Sequence, residues 1–303
     1  MTPLNKYINT LNLYAIKLVY KLRYLLPDKL YLKILFRLKM GYKLNLKNPQ
    51  TFSEKIQWLK LYDRKPEYTA MVDKFEAKNY VANIIGKEYI IPTLGVWEKP
   101  EDIKWDILPQ KFVLKTTHGG GSNGVIICEN KNAFNKAKAI EELKKSLKQN
   151  IYINFREWPY KNIQKRIIAE EYIENLNENG NADLADYKFF CFNGKPHFCQ
   201  VISGRKSKMV IDFFDMDWNH QPFHEPKEFP FADILPKRPT TLNKMVELAT
   251  KLSKGHAFLR VDFYEINQKI KFGELTFFPT SGMGGFSPSK WDKDLGKLIK
   301  LKE

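Results

Sequence analysis

The sequence predicts an α+β protein whose sheets are mostly antiparallel. Strand-like runs come in adjacent pairs with short turn signals between them. The pairs are Lys111 to Lys115 with Val125 to Cys128, Asp186 to Asn193 with Lys195 to Ile202, and Phe258 to Ile266 with Ile270 to Phe278. Separate stretches, residues 8–26, 29–40, 133–149 and 240–255, space their apolar residues as helices do.

Taken in order, residues 8–26 and 29–40 form a helical hairpin with a basic face, divided by Pro27-Asp28. Asn48-Pro49 turns the chain. Thr51, with Glu54 three positions on, then offers a capping box for a helix through Leu61. Asp73 to Ile85 reads as one helix closed by Gly86, and Tyr89 to Trp97 as a short strand with its turn. Lys111 to Lys115 leads through His118-Gly119-Gly120-Gly121-Ser122-Asn123-Gly124 into Val125 to Cys128, which makes a hairpin rather than a strand-to-helix turn. Residues 133–149 are a charged helix, Arg166 to Ile173 a strand, and Val210 to Phe214 extends the second sheet. Four segments follow from this reading: 1–50, 51–110, 111–170 and 171–303.

With 303 residues, 43% of them hydrophobic, the chain can build a large core as one multi-lobed unit. Cys128, Cys191 and Cys199 show neither a CxxC pair nor a disulfide framework, so they read as reduced, packed thiols in a cytoplasmic protein. The apolar stretch from Ile8 to Leu26 is interrupted by Lys17, Lys21 and Arg23 and lacks a cleavage site. It is expected to be neither a membrane span nor a signal peptide. Ten lysines and arginines face one acid, Asp28, in the first 50 residues, so +9 of the net +16 lies there. That charge admits phosphorylated ligands, nucleic acid or anionic lipid as partners, and chooses none of them.

Two constellations carry chemistry. In the first, four glycines let backbone N–H groups approach a triphosphate, with Lys115 on the preceding strand to neutralise it. No GK[ST] precedes a helix, which excludes a Walker A loop; a flexible hairpin turn is the alternative. In the second, alternation puts Arg260 and Asp262 on one strand face and Glu274 and Thr276 on a face of the next strand. A turn near Asn267-Gln268 sets the two pairs opposite each other. Buried carboxylates need a cation, either magnesium with substrate phosphates or a salt bridge to Arg260. His220 and His224 fall in a loop, which argues against a metal site. Tyr152, Phe155, Trp158 and Tyr160 read as packing beneath a loop, and Arg205 and Lys206 as anion contacts or solvated charges.

In order, Asp73-Lys74, the lysine strand with its glycine loop, Glu170-Glu171-Tyr172-Ile173, Asp186-Tyr187-Lys188, and Arg260-x-Asp262 with Glu274-x-Thr276 resemble the ATP-grasp superfamily. Asn48 to Lys55, Asp186 to Lys195 and Phe272 to Thr276 are similar to the TupA-like ATP-grasp family, across about residues 25–300. The resemblance implies two α+β subdomains that clamp ATP between mostly antiparallel sheets, behind an N-terminal basic helical extension. It also implies an ADP-forming ligase joining a carboxylate to an amine in bacterial surface polysaccharide synthesis (capsule, O-antigen or teichuronopeptide).

By the same resemblance Lys74 and Lys115 hold ATP phosphates, with Lys78 a substitute for Lys74. Gly119, Gly120, Gly121, Ser122, Asn123 and Gly124 close over the phosphates. Glu170, Glu171, Tyr172 and Ile173 form the adenine hinge, and Lys188 points at the nucleotide. Asp262 and Glu274 bind Mg2+, Arg260 steadies the phosphoryl group, and Pro279 to Phe286, including Ser281 and Gly282, lines the acceptor pocket together with Arg205. Thr276 departs from the Asn common two residues after the metal-binding Glu. Partners on this reading are a sugar-acid or similar carboxylate, an amine, and an anionic membrane met through residues 1–50. Rival readings are a sugar phosphotransferase on the same fold, a glycosyltransferase and a basic nucleic-acid module; no Rossmann-like halves support the second.

Overall fold

A computed structural model describes residues 3–121, 123–174, 185–204, 208–225 and 229–302, with side chains from residue 12 onward. Ser122 and Arg205, with Lys206, lie outside the described residues. In chain order the helices are α1 (Pro3–Lys21), α2 (Asp28–Met40), α3 (Phe52–Tyr62), α4 (Glu67–Val72), α5 (Glu76–Ile85), α6 (Lys136–Leu147), α7 (Ile151–Phe155), α8 (Leu242–Ser253) and α9 (Lys290–Leu298). The strands are β1 (Thr93–Trp97), β2 (Phe112–Thr116), β3 (Val125–Cys128), β4 (Ile167–Glu171), β5 (Asp186–Phe192), β6 (Lys195–Ser203), β7 (Val210–Phe214), β8 (His220–Gln221), β9 (Phe258–Ile266) and β10 (Lys269–Thr276).

Two sheets result, ordered β1-β4-β2-β3 and β10-β9-β5-β6-β7-β8. Every pairing among the described strands is antiparallel, as the paired strand signals predict. In the larger sheet all seven β5 residues are buried, and α8 lies against β5, β6 and β9 with Leu248, Ala249 and Leu252 in the shared core. The smaller sheet has its own core, with Phe112, Leu114, Ile167 and Leu143 of α6. A third cluster joins Val19 of α1 to Tyr31, Leu32, Leu35 and Phe36 of α2, and it also takes in Met283.

The capping box at α3 forms as expected: the Glu54 amide donates to Thr51 Oγ1 (3.1 Å) and the Thr51 amide to Glu54 Oε2 (3.2 Å). Two expectations need correction. The helix expected over Asp73 to Ile85 begins only at Glu76, because Asp73 Oδ1 accepts the amides of Phe75 (2.8 Å) and Glu76 (3.1 Å) in the turn before α5. Lys74 therefore stands in the break between α4 and α5. The strand expected over Arg166 to Ile173 ends at Glu171, so Tyr172 and Ile173 follow it. The three cysteines are free and buried.

Candidate active site

The glycine loop is tied at its base by the Thr116 amide, which donates to Gly124 O at 2.9 Å. Gly124 has φ +71°, and a Cβ there would meet Ser146 Oγ at 2.2 Å and Thr116 Oγ1 at 2.3 Å. A Cβ on Gly119 would lie 2.5 Å from Asn123 O. Turn geometry alone thus requires these two glycines, while Gly120 has open space beyond ordinary contact with Ile151.

Lys74 joins this loop to the far hairpin. Its amide donates to Thr117 O (2.9 Å), its ammonium donates to Gly119 O (2.6 Å), and the same ammonium lies 3.6 Å from Glu274 Oε2. Lys115 ion-pairs with Glu170, whose other oxygen takes Lys78 at 2.5 Å; Lys78 also donates to Ile91 O. Burial works to raise the 4%-exposed Glu170 carboxyl, and Lys115 and Lys78 carry it below its ordinary value. Glu171 points outward, and the Tyr172 hydroxyl donates to Glu129 at 2.9 Å.

The acid pair meets across a bulge. Phe272 pairs with Phe263 and Leu275 with Val261, so Gly273 and Glu274 together oppose Asp262. A strict two-residue alternation would not reveal this. Arg260 Nε donates to Asp262 Oδ1 (2.8 Å), and its Nη2 donates to Asp262 Oδ2 (2.7 Å) and Glu274 Oε1 (2.9 Å). β5 lies beside β9 with Lys188 opposite Asp262, and the Lys188 ammonium bonds both Asp262 and Asp186. Burial opposes the charge on Lys188, and the two aspartates hold its pKa above the ordinary value. Burial likewise works against the Glu274 carboxylate, yet Lys74, Arg260 and Lys188 hold its pKa down to about 2. Lys115 adds a smaller lowering in the same direction. The Thr276 hydroxyl lies 3.4 Å from Glu274 Oε1.

The model of the TupA-like ATP-grasp proteins matches residues 54–300. The chain belongs to this family. No curated protein matches it. Among solved structures, a D-alanine–D-alanine ligase of Bacillus anthracis complexed with ATP is 15% identical with a TM-score of 0.41, over 76% of this chain and 64% of that one. A D-alanyl-alanine synthetase A of Vibrio cholerae is 13% identical with a TM-score of 0.44, over 82% and 68%. The biotin carboxylase domain of a Hydrogenobacter thermophilus 2-oxoglutarate carboxylase is 18% identical with a TM-score of 0.38, over 77% and 47%. The chain spans about two thirds of the length of the two ligases.

This TupA-like ATP-grasp chain also holds a buried cluster that sequence reasoning missed. Lys60 is fully buried, and its ammonium donates to Phe155 O (3.1 Å), Ser281 O (2.8 Å) and Ser281 Oγ (2.6 Å). Glu157 opposes its charge and accepts from the Ser281 hydroxyl. Gln57 donates to Ser281 O and Gly282 O. Three successive left-handed residues, Thr280 (φ 44°), Ser281 (φ 58°) and Gly282 (φ 61°), are held in this way, and the first two are not glycine. Burial, with the Glu157 and Glu274 carboxylates behind it, holds the Tyr160 phenol well above its usual pKa. The readable signal was a polar stripe, Ser53, Gln57 and Lys60, at i, i+4 and i+7 of α3, on the side that is buried.

Lys60→Met is expected to destabilise the fold by about 3 kcal/mol, because it strands a buried carboxylate and three acceptors. Lys60→Met with Glu157→Gln should cost less than the sum of the two single changes. Urea unfolding of the four proteins checks this, and additive costs would contradict the pairing.

Proposed function

We propose that the chain is an ATP-dependent carboxylate–amine ligase. It transfers the γ-phosphoryl group of ATP to a carboxylate oxygen, ADP leaves, and an amine displaces phosphate to give an amide. The observation that carries the reading is Lys74, whose ammonium lies between Gly119 of the glycine loop and Glu274 of the acid pair. On this reading Lys74, Lys115 and Arg260 would neutralise the triphosphate, since phosphoryl transfer depends mostly on positioning and charge neutralisation. A loop closing over the phosphates would keep water from an acyl phosphate.

Magnesium fits part of the donor set as it stands. Glu274 is 32% exposed, and among the described residues its Oε2 has only the long contact to Lys74, so a carboxylate oxygen is open to a cation. Asp262 is 1% exposed, and Arg260 and Lys188 take both its oxygens, so it joins a metal only if Arg260 turns to the phosphates. Glu274 and Asp262, with the Thr276 hydroxyl, would hold the ion, which would neutralise the phosphate oxygens.

The acceptor, on this reading, is a sugar acid of a surface polysaccharide or its precursor. The amine is an amino acid or other small amine, and the enzyme works in the cytoplasm at the inner membrane face. Pro279 to Phe286, with Ser281 and Gly282, would line the acceptor pocket on this reading, which the left-handed run at Thr280 and Ser281, held by Lys60 and Gln57, supports. Purified protein with MgATP, screened against amino acids and uronic acids, should release ADP and phosphate only when both co-substrates are present. Product mass should show loss of water. Phosphate transfer without an amine would replace this reading with a sugar phosphotransferase.

A further inference from the structure

A surface outside the active site has the wrong composition for a solvated helix. The inner face of α1 packs Val19, with Ile16 and Tyr20, against α2. Its outer face carries Leu13, Tyr14 and Leu18, between 57% and 66% exposed, where polar residues belong, and Leu22 follows directly after its last turn at 38%. Exposed Lys17 and Lys21 lie among them on the same face. The following turn continues the pattern with Tyr24 at 69% and Leu25 at 79%, and α2 adds exposed Lys29 and Leu30. The only acid of the first 50 residues, Asp28, is tied down by Arg64 (2.9 Å), Arg156 (3.0 Å) and Tyr152 (2.9 Å).

We propose that this outer face docks the protein on an anionic lipid bilayer. Apolar and basic side chains alternate along one exposed face and are not segregated into patches. A headgroup layer presents phosphates directly beside hydrocarbon and matches that alternation. Nucleic acid would leave the leucines and tyrosines unburied, and a protein groove would leave the interleaved lysines inside an apolar contact. No described helix is long and apolar enough to cross the membrane, so the contact is parallel to the surface.

The hairpin is not a loose appendage. Arg156 donates to Leu26 O at 3.1 Å and stacks on Tyr31 at 4.2 Å, and Met283 of the acceptor loop sits in the hairpin core. A cleft of about 400 Å³ lies between hairpin and loop, lined by Leu13, Ile16, Lys39, Met40, Met283 and Gly284. Leu13 belongs to both surfaces. Docking stands independently of the ligase reading and deepens it in one respect: the acceptor loop flanks the bilayer, where a lipid-borne carboxylate is within reach.

The full chain is to be sedimented with phosphatidylcholine vesicles, and with vesicles in which about a third of the lipid is phosphatidylglycerol. It should favour the anionic vesicles by about tenfold or more, and high salt should weaken the binding. Leu18→Glu with Leu22→Glu, and separately Lys17→Glu with Lys21→Glu, should each lower the binding by about tenfold or more. Both variants should keep the wild-type circular dichroism and the same ADP release in vesicle-free buffer. No binding by the wild type, equal binding to neutral vesicles, or unchanged binding by the folded variants would overturn the proposal. Absent ADP release by all three proteins would count against the ligase alone.

Discussion

Glu274→Gln is expected to lower MgATP-dependent turnover by about 10³-fold or more, with the fold retained. The substitution keeps side-chain volume and an oxygen for Arg260, but it removes the charge that three cations hold ionised. Because that carboxyl titrates at about 2, no ordinary assay pH protonates it, and the loss should be the same from pH 6 to pH 9. Asp262 remains bonded to Arg260 and Lys188, so the sheet has its internal ion pairs and thermal unfolding should shift little. ADP release and a melting curve on the same preparation check both halves. Turnover within tenfold of wild type would remove Glu274 from the site.

Lys115→Met is expected to reduce kcat/KM for ATP by about 10²–10³-fold. The opposing concern is stability, since Lys115 neutralises a carboxylate that is 4% exposed. Lys78 answers it: at 2.5 Å from the other Glu170 oxygen, it leaves that charge paired after the substitution. The loss should therefore be catalytic. A variant with normal ATP kinetics would assign Lys115 a purely structural part, as partner to Glu170. One with collapsed stability would show that Lys78 cannot hold Glu170 alone.

The local devices of the fold were legible because local chemistry makes them. Thr51 and Glu54 announce their capping box, and Lys115 and Val125 flank the glycine turn and pair across it. Arg260, Asp262 and Glu274 come together as period-two reasoning expects. The bulge at Gly273-Glu274 remained hidden, because one extra residue in a strand has no mark in the hydrophobic pattern. The start of α5 was read three residues early for a related reason: the turn in which Asp73 Oδ1 accepts the following amides has no mark in the apolar pattern.

Long-range pairings were beyond reach. That Lys188 answers Asp262 depends on β5 lying beside β9, 74 residues away in sequence, and that Lys60 meets Ser281 depends on α3 packing under a loop 221 residues later. Both are buried cations, which sequence composition records only as charge. The family resemblance named Lys188 without supplying its partners. It did not name Lys60 at all.

The most direct test is a crystal structure of the protein with Mg2+ and a non-hydrolysable ATP analogue. The triphosphate should lie between Lys74, Lys115 and the Gly119–Gly124 loop, with a metal ion on Glu274 and Arg260 turned toward the terminal phosphate. A nucleotide bound away from Glu274, or none bound in crystals at saturating concentration, would contradict the account.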